Sequence, residues 1–335
     1  MALWDIEKRK AQHVDIVLNK KIDFRNKRTG FDDVDFLYQA LPEMNFSEVD
    51  SSTVFLKRKL RAPLLVSSMT GGFAGAEKIN RDIALACEKE GIMMGLGSQR
   101  PMLKDSKLAK TYKVKAHAPK VFLAGNIGAV QLTQYPVEKI EWLAEQVEAD
   151  AFYVHINALQ EVVQPEGDKN WKGVLKAIEN LCSRLGIPVI AKEVGAGLNG
   201  EIAKELEWAG VKAIDVAGAG GTSWTAIELY RKGAKQGALF WDFGIPTVVA
   251  LQQCSRAVGI PVIASGGVRN GLDVAKSIRL GASLAGAAQP FIKAQAKGGA
   301  KGVQEEIRDW TKALAIAMFL TRSKNVAQLR KAKLL

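Results

Sequence analysis

The chain has 335 residues, and its 47 Lys and Arg residues outnumber its 35 Asp and Glu residues, which gives a formal net charge of +12. With 47% hydrophobic and 24% charged residues, the composition is that of a globular protein and excludes a disordered chain, a collagen-like repeat and a disulfide scaffold. No apolar run reaches the ~18–20 residues of a membrane span. The N-terminal segment MALWDIEKRK lacks the apolar stretch of a signal peptide. We therefore expect a cytoplasmic protein without membrane contact.

The three cysteines, Cys87, Cys182 and Cys254, are odd in number, scattered and without a C-x-x-C pair. This usage favours a reducing compartment and argues against a structural zinc site. All three fall in predicted helices, so we interpret them as core residues and not as catalytic nucleophiles.

The excess of positive charge is spread along the chain, with modest concentrations at residues 8–28, 57–61 and 322–333. No short basic cluster with interleaved aromatic residues is present, which argues against a nucleic-acid partner. Two interpretations stay open at this point. The charge belongs either to a solvated basic surface or to a site for a substrate with several phosphate groups.

From residue 62 onward, short apolar runs alternate with stretches of helical periodicity. This alternation predicts a parallel sheet with helices on both faces, and eight such units in this length predict a closed (β/α)8 TIM barrel. The predicted strands are residues 63–68, 92–96, 121–125, 151–156, 188–192, 213–217, 261–265 and 283–286. The predicted helices are residues 77–90, 137–148, 171–185, 201–209, 246–258, 273–280 and 303–319, whereas residues 101–119 give only a short, polar helical pattern.

Segments outside this repeat define the domain organisation. Residues 1–61 form an N-terminal extension, which we expect to be irregular with short helices and to contribute to the site; residues 62–320 form the barrel. Residues 321–335 form a basic C-terminal tail, which we expect to fray. Residues 223–244 lengthen the connection after the sixth strand, and long connections of this kind usually carry function or a lid.

Polar and glycine residues concentrate where the predicted strands end, which is where TIM barrels place their active sites. The segments are SSMTGG (67–72), GLGSQR (95–100), GNIGA (125–129), HINALQEVVQPEGD (155–168), KEVGAG (192–197), DVAGAGGTSW (215–224), SGGVRNG (265–271) and GAAQP (286–290). Eight such ends that converge on one rim predict a single large site.

The segment SGGVRNG has the features of a phosphate-binding loop. Its glycines let backbone N–H groups approach an anion, the following helix adds its positive end, and Arg269 offers a charged fork. The alternative is a tight turn that needs glycine only for its backbone conformation.

Lys192 ends an otherwise apolar strand, where a charged side chain is costly unless it faces a negative partner. Three partners are compatible with this position. They are a reduced flavin, a salt bridge to Glu193, and a substrate carbonyl that forms a Schiff base with Lys192.

The fourth strand end places His155 and Asn157 on one side, with Gln160 and Glu161 just beyond. One carboxylate suffices for Mg²⁺ when substrate phosphates supply further ligands. The alternative is a polar loop with a hydrogen-bonded histidine. The three histidines of the chain lie far apart in sequence, which disfavours a zinc site.

The N-terminal extension offers a second group of cations. Arg9, Lys10 and His13 share a face if this segment is helical, and Arg100 lies at the rim. Together they suit a diphosphate, although a solvated charged terminus is the alternative.

Taken in order, SSMTGG, GLGSQR, GNIGA, the run H-x-N-x-x-Q-E…P-E-G-D and GGTSW resemble type 2 isopentenyl-diphosphate isomerases. The R-K-x-x-H motif formed by Arg9, Lys10 and His13 matches the substrate-binding start of that family. The resemblance extends from residue 9 to about residue 290, and its last part, SGGVRNG and GAAQP, is shared with many FMN barrels.

The resemblance implies a TIM-barrel flavoprotein that interconverts isopentenyl and dimethylallyl diphosphate, with reduced FMN, Mg²⁺ and NADPH as a reductant. The residues it implies for FMN are Met69, Thr70, Gly71, Ser98, Asn126, Lys192 and Thr222, with Gly266, Gly267, Arg269, Ala287 and Ala288 for the FMN phosphate. Those it implies for the substrate are Arg9, Lys10, His13, Ser98, Gln99, Arg100, His155, Asn157 and Gln160, of which Gln160, His155 and Asn157 are the catalytic candidates, and Glu161 would bind Mg²⁺. We also expect a homo-oligomer, either a tetramer or an octamer.

Ala217 departs from the family pattern, because a hydroxyl residue is common at this position, and one flavin hydrogen bond is therefore in doubt. Few titratable side chains occupy the rim, and Gln160 does not titrate near neutral pH. A reduced flavin, whose N5 can carry a proton, fits the need for an acid and base. The alternatives are an FMN-dependent oxidoreductase of the 2-hydroxy-acid oxidase type and a non-enzymatic basic binding protein.

Overall fold

The computed structural model describes residues 3–335, with side chains from residue 7 onward, so the first two residues of the predicted N-terminal extension lie outside the described residues. An antiparallel hairpin of β1 (Thr53–Phe55) and β2 (Arg58–Leu60) precedes eight parallel strands. These are β3 (Leu64–Val66), β4 (Met93–Gly95), β5 (Phe122–Gly128), β6 (Ala151–His155), β7 (Val189–Lys192), β8 (Ala213–Asp215), β9 (Val262–Ser265) and β10 (Leu284–Ala287). They follow chain order around a closed barrel, with β10 paired to β3, which confirms the predicted TIM barrel.

The helices surround the barrel, and each predicted helix is present within a few residues of its expected bounds, apart from the start of the last one. They are α1 (Leu3–Asn19), α2 (Ala76–Glu90), α3 (Val137–Gln146), α4 (Ala158–Val163), α5 (Val174–Arg184), α6 (Gly200–Trp208), α7 (Trp224–Lys232), α8 (Lys235–Leu239), α9 (Thr247–Ala257), α10 (Gly271–Arg279), α11 (Gln289–Leu320) and α12 (Val326–Leu329). Short 3-10 helices cover Phe31–Asp33, Phe46–Glu48, Arg100–Leu103, Ser106–Thr111, Val114–Ala116 and Ala129–Thr133. None of the helices that the structure describes combines the length and the apolar character that a bilayer crossing requires.

The barrel interior consists of two layers, because alternate residues of each strand point inward. The lower layer is apolar and is closed from below by the hairpin; we call it the apolar plug. It comprises Phe55, Leu60, Leu65, Met93, Phe122, Ala124, Ala151, Tyr153, Ile190, Ala213, Ile263 and Leu284. Two residues further along the strands, six of the eight inward positions are polar, and the other two are Gly95 and Gly286. This polar layer comprises Ser67, Asn126, His155, Lys192, Asp215 and Ser265.

The structure corrects the expectations for both ends of the chain. The extension begins with a longer helix than expected, because α1 spans 17 residues. Residues 20–52 are irregular with two short 3-10 helices, as predicted. The tail does not fray: Leu329 is buried, and the backbone N–H groups of Leu37 and Asp50 donate to Lys333 and Lys324. The extension therefore supplies the tail's hydrogen-bond partners, which are remote in sequence.

Two smaller corrections concern the helical layer. The last helix begins at Gln289 and not at residue 303, with one break at Gly299, whose φ of 58° and ψ of −144° are not helical. Between β4 and β5, the weak helical pattern corresponds to 3-10 turns. The cysteines lie in α2, α5 and α9 as predicted, with Cys87 and Cys254 buried and Cys182 partly exposed.

Candidate active site

A large cavity opens at the carboxyl ends of the barrel strands, with an empty space of about 1580 Å³ that includes solvent at its mouth. The polar layer, apart from Asp215, forms its floor, and α1 lies across one side of the mouth. Its position matches the rim predicted from the eight polar strand ends.

Lys192 lies on the floor with its side chain only 8% exposed. Its ammonium donates to the Glu193 carbonyl oxygen at 2.7 Å and lies 3.6 Å from Asp215 Oδ2. Of the three alternatives for Lys192, the salt bridge to Glu193 is not formed, because the carboxylate of Glu193 accepts from the backbone N–H groups of residues 194–197. The ion-pair partner of Lys192 is Asp215, which faces it across the β7–β8 register.

His155 is held in one tautomer by its neighbour. The amide of Asn126 donates to the Leu96 carbonyl at 2.9 Å, so its Oδ1 is the acceptor for His155 Nδ1 at 2.8 Å. Burial lowers the pKa of His155 to about 3, and the charges of Lys192, Lys10 and Arg100 act in the same direction. The ring is therefore neutral near pH 7, with its proton on Nδ1.

Arg9, Lys10 and Arg100 form a cation wall along one side of the cavity, and His13 lines the same cavity. Lys10 Nζ donates to the Ser98 carbonyl at 2.6 Å and to Tyr112 Oη at 3.1 Å. Burial, followed by the charge of Arg9, lowers the pKa of Lys10. Arg100 pairs with Asp168 at 2.9 Å. The Nε atoms of Arg9 and Arg100 are buried without a hydrogen-bond partner. The R-K-x-x-H face is thus turned into the cavity and is not a solvated terminus.

Glu161 lies in the first turn of α4 at the cavity edge. Its Oε1 accepts from Asn157 Nδ2 at 3.0 Å, and its Oε2 accepts from the backbone N–H of Asp168 at 2.7 Å. Gln160 Oε1 accepts from the same Asn157 amide at 3.1 Å. Within residues 7–335, no cluster of three or more His, Cys, Asp or Glu side chains is arranged to hold a metal ion. A Mg²⁺ ion at Glu161 would therefore need oxygen ligands from water and substrate.

The loop after β9 forms a glycine cradle. Gly266 and Gly267 have φ values of 96° and 72°, a region that favours glycine. Side chains there would collide with the Gly218 carbonyl and with Thr29 Cγ2, respectively. Arg269 lines the cavity beside this loop, and one nitrogen of its guanidinium pairs with Asp23 Oδ1 at 2.5 Å.

Most of the predicted site residues come together around this cavity. Those that line it are Arg9, Lys10, His13, Met69, Thr70, Ser98, Arg100, Asn126, His155, Asn157, Gln160, Glu161, Lys192, Thr222, Gly266, Gly267, Arg269, Ala287 and Ala288. Ala217, the position that departs from the family pattern, also lines it, with a φ of 36°.

Gln99 and Gly71 do not line the cavity. Gln99 is fully buried; its Nε2 donates to the Leu143 carbonyl at 2.8 Å, and its Oε1 accepts from the Asn126 backbone N–H at 2.9 Å. The side chain of Gln99 therefore joins strand ends and does not enter the cavity, and its contact with substrate stays a prediction. Gly71 faces the ring of Tyr112, which occupies the place of a side chain.

Sequence reasoning missed a buried charged group beside α1. Glu228 of α7 is fully buried, lies 3.2 Å from His13 Nε2 and pairs with Arg231 at 2.7 Å. Burial lowers the pKa of His13, and the bond to Glu228 opposes this shift. The Trp224 ring packs edge-on against His13, with centroids 5.3 Å apart. The only sequence signal was the length of the 223–244 connection, which carries these residues without a recognisable motif.

Comparisons with known proteins identify the family of the chain. A family model for FMN-dependent dehydrogenases matches residues 127–335. The isopentenyl-diphosphate delta-isomerase of Methanococcoides burtonii is 44% identical, covering 96% of this chain and 90% of that protein. The enzyme of the same name from Rickettsia bellii is 45% identical, covering 98% and 97%. The one from Pyrococcus furiosus is 42% identical, covering 96% and 85%.

Solved structures support the fold alone, because their sequences are distant. Mandelate oxidase with (S)-2-phenylpropionate superimposes with a TM-score of 0.69 at 18% identity, covering 100% of this chain and 98% of that one. A mandelate oxidase variant with a monooxide FMN adduct gives a TM-score of 0.66 at 17% identity, covering 96% and 95%. On the strength of the near full-length relatives and the barrel match, the chain belongs to the isopentenyl-diphosphate delta-isomerase family and, through its barrel, to the FMN-dependent dehydrogenases.

Proposed function

We propose that the protein interconverts isopentenyl diphosphate and dimethylallyl diphosphate by a 1,3-allylic proton shift, with reduced FMN as cofactor, in isoprenoid biosynthesis. The observation that carries this proposal is that the glycine cradle, the cation wall and side chains of the polar layer all line one cavity, which offers two groups suited to anions. An FMN phosphate suits the first and a substrate diphosphate the second. The relatives' name identifies the substrate pair.

The residues present fit FMN. Ser67 Oγ, Ser68 Oγ and Gln289 Nε2 are buried at this cavity without a hydrogen-bond partner, so a polar ring system there would satisfy them. The cradle is too tight for side chains, which leaves its backbone to approach a phosphate. FMN, when bound and reduced, supplies a ring nitrogen, N5, that can carry a proton. We expect FMN and not FAD, because the site lies within a single barrel.

The predicted contacts fall into separate groups for the FMN ring system, the FMN phosphate, the substrate diphosphate and Mg²⁺. Met69, Thr70, Ser98, Asn126, Lys192 and Thr222 would contact the FMN ring system, and Gly266, Gly267, Arg269, Ala287 and Ala288 would hold its phosphate. The cation wall would bind the diphosphate. Glu161 would hold Mg²⁺ against the diphosphate oxygens, since one carboxylate suffices when phosphates complete the coordination.

The floor side chains bind and orient more readily than they exchange protons. His155 has a pKa of about 3 and is therefore a weak base near pH 7. Gln160 does not titrate, and its Nε2 lies 3.4 Å from Glu228 Oε1, which orients the amide. His155, Asn157 and Gln160 are thus assigned to orienting the five-carbon unit and to shielding it from water.

The test is an anaerobic assay with isopentenyl diphosphate and Mg²⁺, first with oxidised and then with dithionite-reduced FMN. We expect dimethylallyl diphosphate only with the reduced form. Equal turnover in both states would exclude reduced FMN as the acid and base. Mass analysis of the released cofactor checks its identity, and recovery of FAD alone would contradict the proposal.

The electron donor, the oligomeric state and the cellular location are also part of the proposal. We propose NADPH as the electron donor, a homo-oligomer of four or eight chains, and a cytoplasmic location. The oxidoreductase alternative is less well supported, because a 2-hydroxy-acid oxidase would need a histidine base oriented by an aspartate, whereas His155 is held by Asn126. Oxidation of 2-hydroxy acids in the same assay would favour that alternative.

A further inference from the structure

Asp215 is a fully buried carboxylate at the carboxyl end of β8. Its Oδ1 accepts a hydrogen bond from Ser265 Oγ at 2.5 Å, and its Oδ2 lies 3.6 Å from Lys192 Nζ. Beneath it lies Tyr153, whose phenol pKa is raised by burial and by Asp215, so Tyr153 stays a neutral group. Asp215 therefore has one charged neighbour here, the ammonium of Lys192.

Asp215 does not line the cavity, although Lys192 and Ser265 on either side of it do. It cannot touch a bound molecule directly and acts only through its field and through Lys192. Stability does not explain its presence, because a buried ion pair is often no more stabilising than apolar residues of similar size. In the apolar plug below, the equivalent positions of the same two strands hold the apolar pair Ile190 and Ala213. An apolar pair therefore fits between these strands.

The consequence for the cavity is electrostatic. A cation on the floor favours any electron-rich molecule above it, and the effect is large where solvent is excluded. A carboxylate behind that cation opposes the effect and also fixes where the ammonium lies. The two charges together make the floor less positive than Lys192 alone would.

We propose that Asp215 is a positioning residue for Lys192 that lowers the reduction potential of the bound flavin by offsetting the charge of Lys192. This rests on the proposed function, because it requires FMN in the cavity. Asp215, which does not line the cavity, would then tune the electron affinity of the flavin, whereas residues that line the cavity would bind it.

The experiment is a spectroelectrochemical titration of FMN-loaded wild type and of Asp215→Asn. We expect a midpoint potential that is more positive in Asp215→Asn, because a negative charge behind Lys192 has been removed. The matched control is Asp82→Asn, which removes another buried carboxylate, held by Lys78 and Gln295 in the outer helical layer. Its potential should equal that of the wild type.

The Lys192→Met background separates positioning from a direct field. If Asp215 acts through Lys192, Asp215→Asn shifts the potential less in Lys192→Met than in the wild type; an equal shift would overturn the positioning role. If Asp215→Asn does not fold, Asp215→Ser is neutral, smaller and carries the same expectation. An unchanged or more negative potential in the neutral variant would overturn this inference alone, whereas a wild type that binds no FMN would overturn it together with the proposed function.

Discussion

The two layers of the barrel interior are built on the same strands but have different roles, one in stability and the other in the candidate site. The apolar plug contains no charged side chain among its members, and the hairpin residues Phe55 and Leu60 seal it from below. The polar layer, one inward position further along, buries Lys192 and Asp215. Burying apolar area stabilises the fold, whereas burying charge costs stability and persists where chemistry needs it. Substitutions in the two layers should therefore separate stability from function.

The largest effect is expected in the plug. Phe55 is 1% exposed, and its ring packs 6.4 Å from that of Phe122. Phe55→Ala should lower the free energy of unfolding by about 3–5 kcal/mol through lost burial and a residual cavity. Urea denaturation measures this, and the FMN affinity of the folded protein should not change. Val54→Ala, on the exposed side of the same strand, is the control. A loss of FMN affinity in Phe55→Ala would show that the apolar plug also contributes to cofactor binding.

The next effect belongs to the upper rim. Glu161→Gln keeps the shape of the side chain and removes the charge proposed to hold Mg²⁺. We expect activity to fall about 100-fold, in the range typical for weakened metal sites, with FMN affinity unchanged. The free energy of unfolding should fall by only about 1 kcal/mol, because the glutamine amide can accept one of the two hydrogen bonds that the carboxylate accepts. Glu179→Gln, on the exposed surface of α5, serves as the charge-matched control. Unchanged activity and Mg²⁺ dependence in Glu161→Gln would remove this residue from the site.

A smaller effect tests the cradle. Gly267 and Gly233 share a positive φ, at 72° and 64°, but Gly267 abuts Thr29 whereas nothing lies within 4 Å of the Cβ position at Gly233. Both alanine variants should lose about 1 kcal/mol from backbone strain. Only Gly267→Ala should also weaken FMN binding, by roughly tenfold, because its Cβ would lie 2.4 Å from Thr29 Cγ2 and the loop must move to relieve that contact. Isothermal titration with FMN distinguishes the two, and equal affinities would show that the cradle is a turn only.

The barrel was predictable because each strand is a short apolar run that ends in glycine or polar residues, and these local features are independent of distant partners. The cavity lining followed, since strand ends of a parallel barrel converge on one rim. Gln99 shows the limit of this reasoning. It follows a strand end like its neighbours Ser98 and Arg100, yet packing turns its amide toward Leu143.

Other features depend on contacts that no local pattern records. The sequence identified Asp215 only as a polar residue at a strand end. Its pairing with Lys192 could not be predicted, because the register between β7 and β8 sets it. Glu228 lies in α7, which has no recognisable motif. It contacts the site only because α1 places His13 beside it. The tail was expected to fray because its partners lie nearly 300 residues earlier in the chain.

The smallest expected effect is a pH dependence that links the polar layer back to stability. Burial lowers the pKa of His155 to about 3 in the folded protein, whereas the unfolded chain has a histidine pKa near 6.5. As the pH falls below 6.5, the unfolded state binds a proton that the folded state does not, so stability decreases toward acid and is fully present above pH 6.5. Between pH 7.5 and 5.5, cofactor-free wild type should therefore lose about 1 kcal/mol more than His155→Gln, which cannot take up the proton. Urea denaturation at both pH values measures the difference, and His117→Gln removes an exposed histidine as the control. Equal losses in wild type and His155→Gln would mean that His155 is protonated in the folded protein, in which case it would be a cation of the floor and no longer a neutral acceptor.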